Sequence, residues 1–259
     1  TGLACINDLE TFLKSVLNEN EHALSPIPFI NSSHNTVAAQ ISRVLKNRSY
    51  NNTFCHRGIA FENALQDAML MLRGGEASNV LLGGIDEISE HYRFLLSSVG
   101  LTPADGEGAI FFMLANQPDR NTYAKICALK TAVFSFPNPC QIEDFVNDFL
   151  DEAQISVNEI DTLLLGINGN EADDSIYFQV QKLFPPDIQF AKYKHLCGEY
   201  ATGAAFALAL SAQSIKNGRF PESCLLGKTG VRQAEKILIF NHYQRQNFSL
   251  MIVEKPCFS

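Results

Sequence analysis

The sequence predicts an α/β fold with helices on both faces of its sheet, and three observations predict it. Short continuous apolar runs at 80–85, 109–114 and 163–165 suit strands covered on both faces. Segments with apolar residues at helical spacing alternate with those runs through both halves of the chain. No linker or low-complexity stretch interrupts the 259 residues, so the halves are expected to fuse into one body.

The elements follow in order. Asn7 or Asp8 can cap a helix reaching about Leu17, because Leu9, Phe12, Leu13, Val16 and Leu17 share one face. Pro26 and Pro28 are expected to break it. Behind the cap-rich residues 31–35, Val37, Ile41, Val44 and Leu45 recur at helical spacing and predict a second helix ending near Asn47. Residues 51–55 read as a short extended segment. Phe61, Leu65, Ala68, Met69 and Leu72 then mark a helix that stops at Gly74-Gly75. A strand follows at 80–85, and Gly106-Glu107-Gly108 leads into another at 109–114. The second half repeats the order, with a strand over 124–136, a helix over 141–153, a strand at 163–165 and a helix over 173–183. A long helix is expected over 198–215, and paired strands at 237–240 and 248–253 close the chain.

Composition excludes several classes. With 46% apolar and 19% charged residues the chain is neither disordered nor collagen-like, and its length allows a sizeable core. A formal charge of −8 leaves no polybasic patch, which argues against nucleic-acid or anionic-membrane partners. The longest apolar runs, 109–115 and 204–210, fall far short of the roughly 20 residues of a spanning helix. Seven scattered cysteines contain no C-x-x-C pair, which argues against a disulfide framework or zinc site and fits reduced thiols in a cytoplasmic protein. Four N-x-S/T sequons, at Asn31, Asn47, Asn51 and Asn247, read as chance matches.

Three segments together resemble the β-ketoacyl synthase branch of the thiolase fold. The first is residues 74–87, Gly-Gly-Glu-Ala-Ser-Asn-Val-Leu-Leu-Gly-Gly-Ile-Asp-Glu, similar to the family's helix end, strand and double glycine. The second is Gly106-Glu107-Gly108-Ala109, similar to its E-G-A strand start. The third is Ile160-Asp161-Thr162-Leu163-Leu164-Leu165 with Lys194-His195-Leu196-Cys197-Gly198-Glu199, which fits an I-D strand and, save its last position, a K-x-x-x-G-H motif. Asn241-His242-Tyr243 and residues 248–253 resemble the closing hairpin. The resemblance implies one thiolase-like domain over 1–259, layered αβαβα, with a truncated N-terminal half over 1–120 and a C-terminal half over 121–259. It also implies family members about half as long again. The chain opens on Thr1-Gly2-Leu3, so the first half's leading strand and helix are expected to lie before Thr1, or its sheet edge to be covered by a partner.

Active members carry a nucleophilic cysteine at the start of the helix before the double-glycine strand, and counting back from Gly83-Gly84 places that position at Gly58. The family's first histidine, in an H-G-T-G-T turn, falls at Gly166, and the second at Glu199. Only Lys194 of the usual catalytic set matches. A glutamate, ordinarily ionised, would repel a malonyl carboxylate or enolate where the histidine donates a hydrogen bond. The pattern resembles the chain-length factor, the inactive partner of a ketosynthase, and residues 51–58 and 198–202 resemble an aryl-polyene or flexirubin-type group. Such a subunit in fatty acid or polyketide biosynthesis would dimerise with a ketosynthase, or with itself, and meet acyl carrier protein. It would need no cofactor of its own, the carrier's phosphopantetheine arm being the carried substrate.

The rival reading is an active 3-oxoacyl-acyl carrier protein synthase or acyltransferase that uses Cys55, with His56, Glu199 or His242 as base; an alignment slip of three residues would bring Cys55 to the nucleophile position. Against it, Cys55 and His56 are neighbours on an extended segment and point to opposite faces. Glu199, taken as a first-turn residue of the long helix, is expected to favour the helix dipole and hydrogen-bond Lys194 or a backbone amide. His34 could line a pocket, but a role at the helix cap is the simpler expectation. A third reading is a homodimer that binds a fatty ligand.

Overall fold

A computed structural model describes residues 1–18, 22, 24–99, 106–135, 137–227 and 233–257. Its centre is a five-stranded sheet in the order β3-β7-β6-β4-β5, built from β3 (Lys125–Val133), β4 (Thr162–Leu165), β5 (Gln189–Lys192), β6 (Lys236–Tyr243) and β7 (Asn247–Glu254). β4 runs parallel to both neighbours, while the β6–β7 hairpin and the β3–β7 pair are antiparallel. The last residue of the 124–136 expectation, Phe136, lies outside the described residues.

Side chains alternate across this sheet and feed two cores. Leu163, Leu165, Leu238, Phe240, Leu250 and Ile252 join α6 (Pro139–Ala153) and α7 (Glu171–Gln181) on one face. Leu164, Ile237, Ile239, Met251 and Val253 face α4 (Ala60–Arg73) and α9 (Ala204–Asn217) on the other. An Asn138 capping box and the αL residue Gln154 bound α6, which explains its sharp ends.

A second, two-stranded antiparallel sheet covers the far side of α4 and α9. It pairs β1 (Asn79–Asp86) with β2 (Gly108–Ala115), and Leu82, Ile110, Phe112 and Leu114 pack into the core shared with those helices. Helix, sheet, helix and sheet therefore succeed one another as four of the five expected layers. The double glycine has a packing cause: a Cβ on Gly84 would stand 2.9 Å from the Ala205 Cβ, and one on Gly83 would stand 2.3 Å from the Phe111 ring. The expectation that both strands are covered on two faces is corrected. Burial alternates along β2, leaving Phe111 and Met113 exposed, with Leu81 beside them on β1.

Three helices stand before this body: α1 (Ile6–Asn18), α2 (Pro26–Ser32) and α3 (Thr36–Val44). Pro26 and Pro28 end nothing further. They sit in the first turn of α2, where a missing N–H costs no helical bond. α5 (Glu90–Ser98) carries a Ser89 N-cap. The expected helix over 198–215 starts later, because Lys194–Cys197 forms a separate turn, α8, and Gly198 at φ 74° breaks the path before α9.

Asp86, at the end of β1, fastens the layers. One carboxylate oxygen accepts from the Thr1 hydroxyl at 2.9 Å and from the Gly2 and Leu3 amides at 2.7 Å each. The other accepts from the Thr202 amide at 3.0 Å and hydroxyl at 2.9 Å.

Candidate functional site

The expected site positions gather beyond the carboxyl ends of β4 and β5, the usual crevice of an open α/β sheet. Gly166 directly follows β4, Lys194 opens α8 after β5, and Glu199 lies on the turn between α8 and α9. Gly58 lies in a short 3₁₀ turn (Arg57–Ile59) leading into α4, beside Arg57, whose φ of 51° marks the local strain.

Both glycines are filled from outside. A Cβ on Gly58 would lie 2.2 Å from the Tyr243 Cβ. One on Gly166 would lie 2.4 Å from the Tyr177 hydroxyl oxygen and 2.8 Å from Lys194 Cε. Two tyrosines and a lysine stem thus occupy the room that a cysteine and a histidine would need. Sequence reasoning gave no such role to Tyr177, which lies on α7 outside any motif, or to Tyr243, which lies on β6 in the Asn241-His242-Tyr243 segment.

Lys194 is the hub. Its side chain is 1% exposed, and Nζ donates to Glu199 Oε1 at 2.9 Å, to the His242 carbonyl at 2.8 Å and to the Tyr177 hydroxyl at 3.1 Å. Burial alone pulls the ammonium down, but Glu199 and Tyr177 outweigh it, so the pKa stands above its ordinary value and the group is a fixed cation. Burial pushes Tyr177 up to about 12, so it remains a neutral phenol.

Glu199 is held on its other side by the Asn168 amide at 3.0 Å. Asn168 belongs to the 166–170 turn, which Asp174 pins by accepting the Asn168 and Gly169 amides at 3.0 Å each. The expectation that Glu199 sits in the first turn of the long helix is corrected, since α9 begins at Ala204. Its place is set by Lys194 and Asn168, not by a helix dipole. The G-E-G start of β2 closes over this turn: Gly106 donates to the Glu199 carbonyl at 3.2 Å, and a Cβ there would strike the Cys197 carbonyl.

His242 is buried, stacked on Tyr177 at 4.4 Å between ring centroids. Its Nε2 lies 3.0 Å from the Asp173 carbonyl, an acceptor, which requires the proton on Nε2. Burial and then Lys194 lower its pKa to about 3, so the ring is neutral, and its Nδ1 has no partner. Glu62, on α4, is fully buried. One oxygen accepts from the Ser249 hydroxyl at 2.7 Å, the other has no hydrogen-bond partner among the described residues, and burial raises the carboxyl to about 7.

Cys55 and His56 stand apart from this network. Both are exposed on the segment before Gly58, and His56 Nδ1 lies 2.7 Å from the Asn63 side-chain nitrogen. Among the described residues no hydrogen bond joins them. His34 is exposed, and the contacts at the start of α3 come from Ser33, whose hydroxyl reaches Asn35 at 3.0 Å and Thr36 at 2.8 Å. No cluster of three or more potential metal ligands occurs among the described residues, and none of their helices is long and apolar enough to cross a membrane.

Comparison with known proteins places these features. Residues 11–121 match the family model described as beta-ketoacyl synthase, N-terminal domain. No curated protein matches the sequence. Among solved structures, the ishigamide ketosynthase/chain length factor is 17% identical over 99% of this chain and 74% of the other, with a TM-score of 0.82. The ketosynthase ApeO in complex with its chain length factor ApeC, from Xenorhabdus doucetiae, is 15% identical over 97% of this chain and 72% of the other, at 0.76. AntDE:AntF, a type II polyketide synthase acyl-carrier protein in complex with its ketosynthase, is 13% identical over 96% and 75%, at 0.77. At these identities the structural matches establish the fold, which is that of the thiolase-type ketosynthases.

Proposed function

We propose that this β-ketoacyl synthase-like chain is a catalytically degenerate subunit of the chain-length-factor kind, serving fatty acid or aryl-polyene-type polyketide assembly in the cytoplasm. The observation that carries the reading is the filled site. Condensation needs a thiolate to take up the acyl group and hydrogen-bond donors where negative charge develops on the extender thioester. Here Tyr243 closes the position at Gly58, Tyr177 and Lys194 close that at Gly166, and the third position holds a glutamate engaged by Lys194. The neutral His242 is committed through Nε2 to a backbone carbonyl.

A ketosynthase partner fits the same reading. Large apolar side chains stand exposed on α5 and the β1–β2 sheet, including Phe94 at 65%, Val99 at 70% and Met113 at 67%, as a subunit interface requires. Chain length factors pair with ketosynthases in two of the similar structures, and a third holds an acyl-carrier protein. This chain would shape the space for the growing product while its partner makes the bond.

Co-expression with a ketosynthase from the same organism, followed by native mass measurement, is expected to give a heterodimer. Incubation with acyl-loaded carrier protein is expected to leave this chain's intact mass unchanged. A stable acyl adduct on Cys55 would sink the reading in favour of an active enzyme. A homodimer that carries lipid and ignores the ketosynthase would sink it in favour of a ligand-binding protein.

A further inference from the structure

A groove of about 380 Å³ runs along the open edge of the five-stranded sheet, at the far end of α4 from Gly58. Residues 127–129 of β3 form its floor. Met69, Leu70 and Arg73, on α4, make one wall, and Phe149 and Ile155, at the end of α6 and just beyond it, make the other. The two helices pack on opposite faces of the sheet and both touch β3, so the walls flank the strand from either side.

The floor is a free sheet edge. β3 pairs with β7 alone, and outside that ladder residues 125–132 make no backbone-to-backbone hydrogen bond among the described residues. In an antiparallel ladder alternate residues turn their N–H and C=O groups away from the partner strand, so the floor presents unused donors and acceptors. The walls are largely apolar: Leu70 stands 61% exposed, and Met69 and Ile155 are half-buried. Glu152, the acidic side chain of the lining, is neutralised by Lys130 at 2.7 Å. Arg73 is exposed and has no ion-pair partner among the described residues, which leaves one uncompensated cation at the rim.

This geometry selects its occupant. A strand laid beside β3 turns alternate side chains toward the two faces of the sheet, and so toward Met69 and Leu70 on one side and Phe149 and Ile155 on the other. A second copy of the sheet does not suit the edge. Two β3 strands would have to approach to about 4.8 Å between walls that rise on both sides, and the register shift at Cys127 bends the strand. A single extended chain meets the backbone edge and both walls at once, and a carboxylate on it would answer Arg73.

We propose that this groove binds an extended, apolar segment of a partner protein as an added strand on β3, with a carboxylate of that segment on Arg73. The inference stands apart from the function proposed above, since neither the Lys194 network nor the exposed faces of α5 and the β1–β2 sheet line the groove.

Calorimetry on the full chain with the peptide acetyl-Glu-Val-Leu-Val-Thr-Glu-amide tests it, the two terminal acids allowing either strand direction to reach Arg73. Two further versions carry N-methyl groups on the odd or on the even residues. An added strand bonds through one of its edges only, so one methylated set faces β3 and the other faces solvent. The expected result is saturable binding with Kd below about 1 mM, weakened about tenfold or more in one methylated version and kept in the other. Arg73→Glu is expected to weaken binding about fivefold at low salt and less at high salt. Leu70→Asp is expected to weaken it about tenfold, while Leu45→Asp, an equally exposed leucine on α3, leaves it unchanged.

No saturable binding overturns the proposal, as do equal affinities of the two methylated versions or an equal loss in the Leu45→Asp control. Native affinity in both Leu70→Asp and Arg73→Glu overturns it too. Displacement of the peptide by sodium decanoate at similar concentration would give the groove to an aliphatic carboxylate and overturn the strand. Should Leu70→Asp unfold, Leu70→Ala is expected to lower affinity about threefold, and native affinity in that variant would overturn the proposal.

Discussion

Glu199→Gln isolates the electrostatics of the site, because it keeps shape and one acceptor while removing the one carboxylate that Lys194 touches among the described residues. Lys194 would then be an ammonium 1% exposed, with the His242 carbonyl, the Tyr177 hydroxyl and an amide oxygen around it but no counter-charge. Removing one partner of a buried pair costs about 3–5 kcal/mol, and the retained acceptor places this case near the lower end, about 3 kcal/mol. For a chain of this size that is a fall in Tm of about 6–12 °C.

The pH dependence carries the sharper signature. In the native chain the folded pKa of Lys194 stands above its ordinary value of 10.5, so the pair's contribution is fully present below 10.5 and is lost as pH rises through the folded value. In the variant, burial without Glu199 lowers the folded pKa below 10.5. The unfolded chain then binds more protons between those two values, and the variant gains stability as pH rises. The gap between the two proteins is therefore widest near neutrality and narrows toward pH 10. Urea denaturation at pH 7 and pH 10 reads it directly, and the other ionisations cancel in the difference. A gap under about 1 kcal/mol at pH 7, or one that does not change with pH, would refute the assignment of Lys194 and Glu199 as a buried pair.

Three other substitutions test the remaining contacts. Gly58→Cys puts a Cβ against the Tyr243 Cβ, an atom fixed on a strand, so it should destabilise by about 3 kcal/mol or more and take up no acyl group; denaturation and intact mass check both. Glu62 holds its proton up to about 7 when folded but loses it near 4.5 when unfolded, so native stability falls by about 3 kcal/mol between those values. Glu62→Gln should abolish that slope and be the more stable protein at pH 8, as urea midpoints at pH 5 and pH 8 will show. Asp86→Asn turns an amide toward donors on one side of its clamp whichever way it flips, and should lower stability by about 2–3 kcal/mol while opening residues 1–4 to proteases.

The C-terminal half is written in the sequence more plainly than the N-terminal half, for a physical reason. Leu163, Leu164 and Leu165 are buried on both sides, so a short apolar run there can only be a central strand. The same kind of run in β1 and β2 belongs to an antiparallel pair with one open face, since periodicity cannot register which neighbours are present. β5 carries no apolar run that marks it, because its four residues begin with Gln189, a polar group that is buried beside Thr162. α9 begins six residues later than expected because small residues continue smoothly through 201–205, and only the φ of 74° at Gly198 interrupts the path.

The site divides the same way. The positions of Gly58, Gly166 and Glu199 could be counted from motifs, yet what stands in the space beside them could not. Tyr177 and Tyr243 arrive from α7 and β6, across sequence separations that no local pattern records. That arrangement bears on which single substitutions the site can accept. A cysteine at 58 must displace Tyr243, and a side chain at 166 must displace both Tyr177 and the stem of Lys194. Tyr177 in turn bonds the His242 amide at 3.1 Å and Lys194 at 3.1 Å. Lys194 is tolerable in the core only while Glu199 faces it. Changing any one of these residues alone leaves a clash, an unpaired charge or an orphaned donor, so the positions around Lys194 are held as a set. In this site the glycines at 58 and 166 and the packing around Lys194 therefore sustain each other.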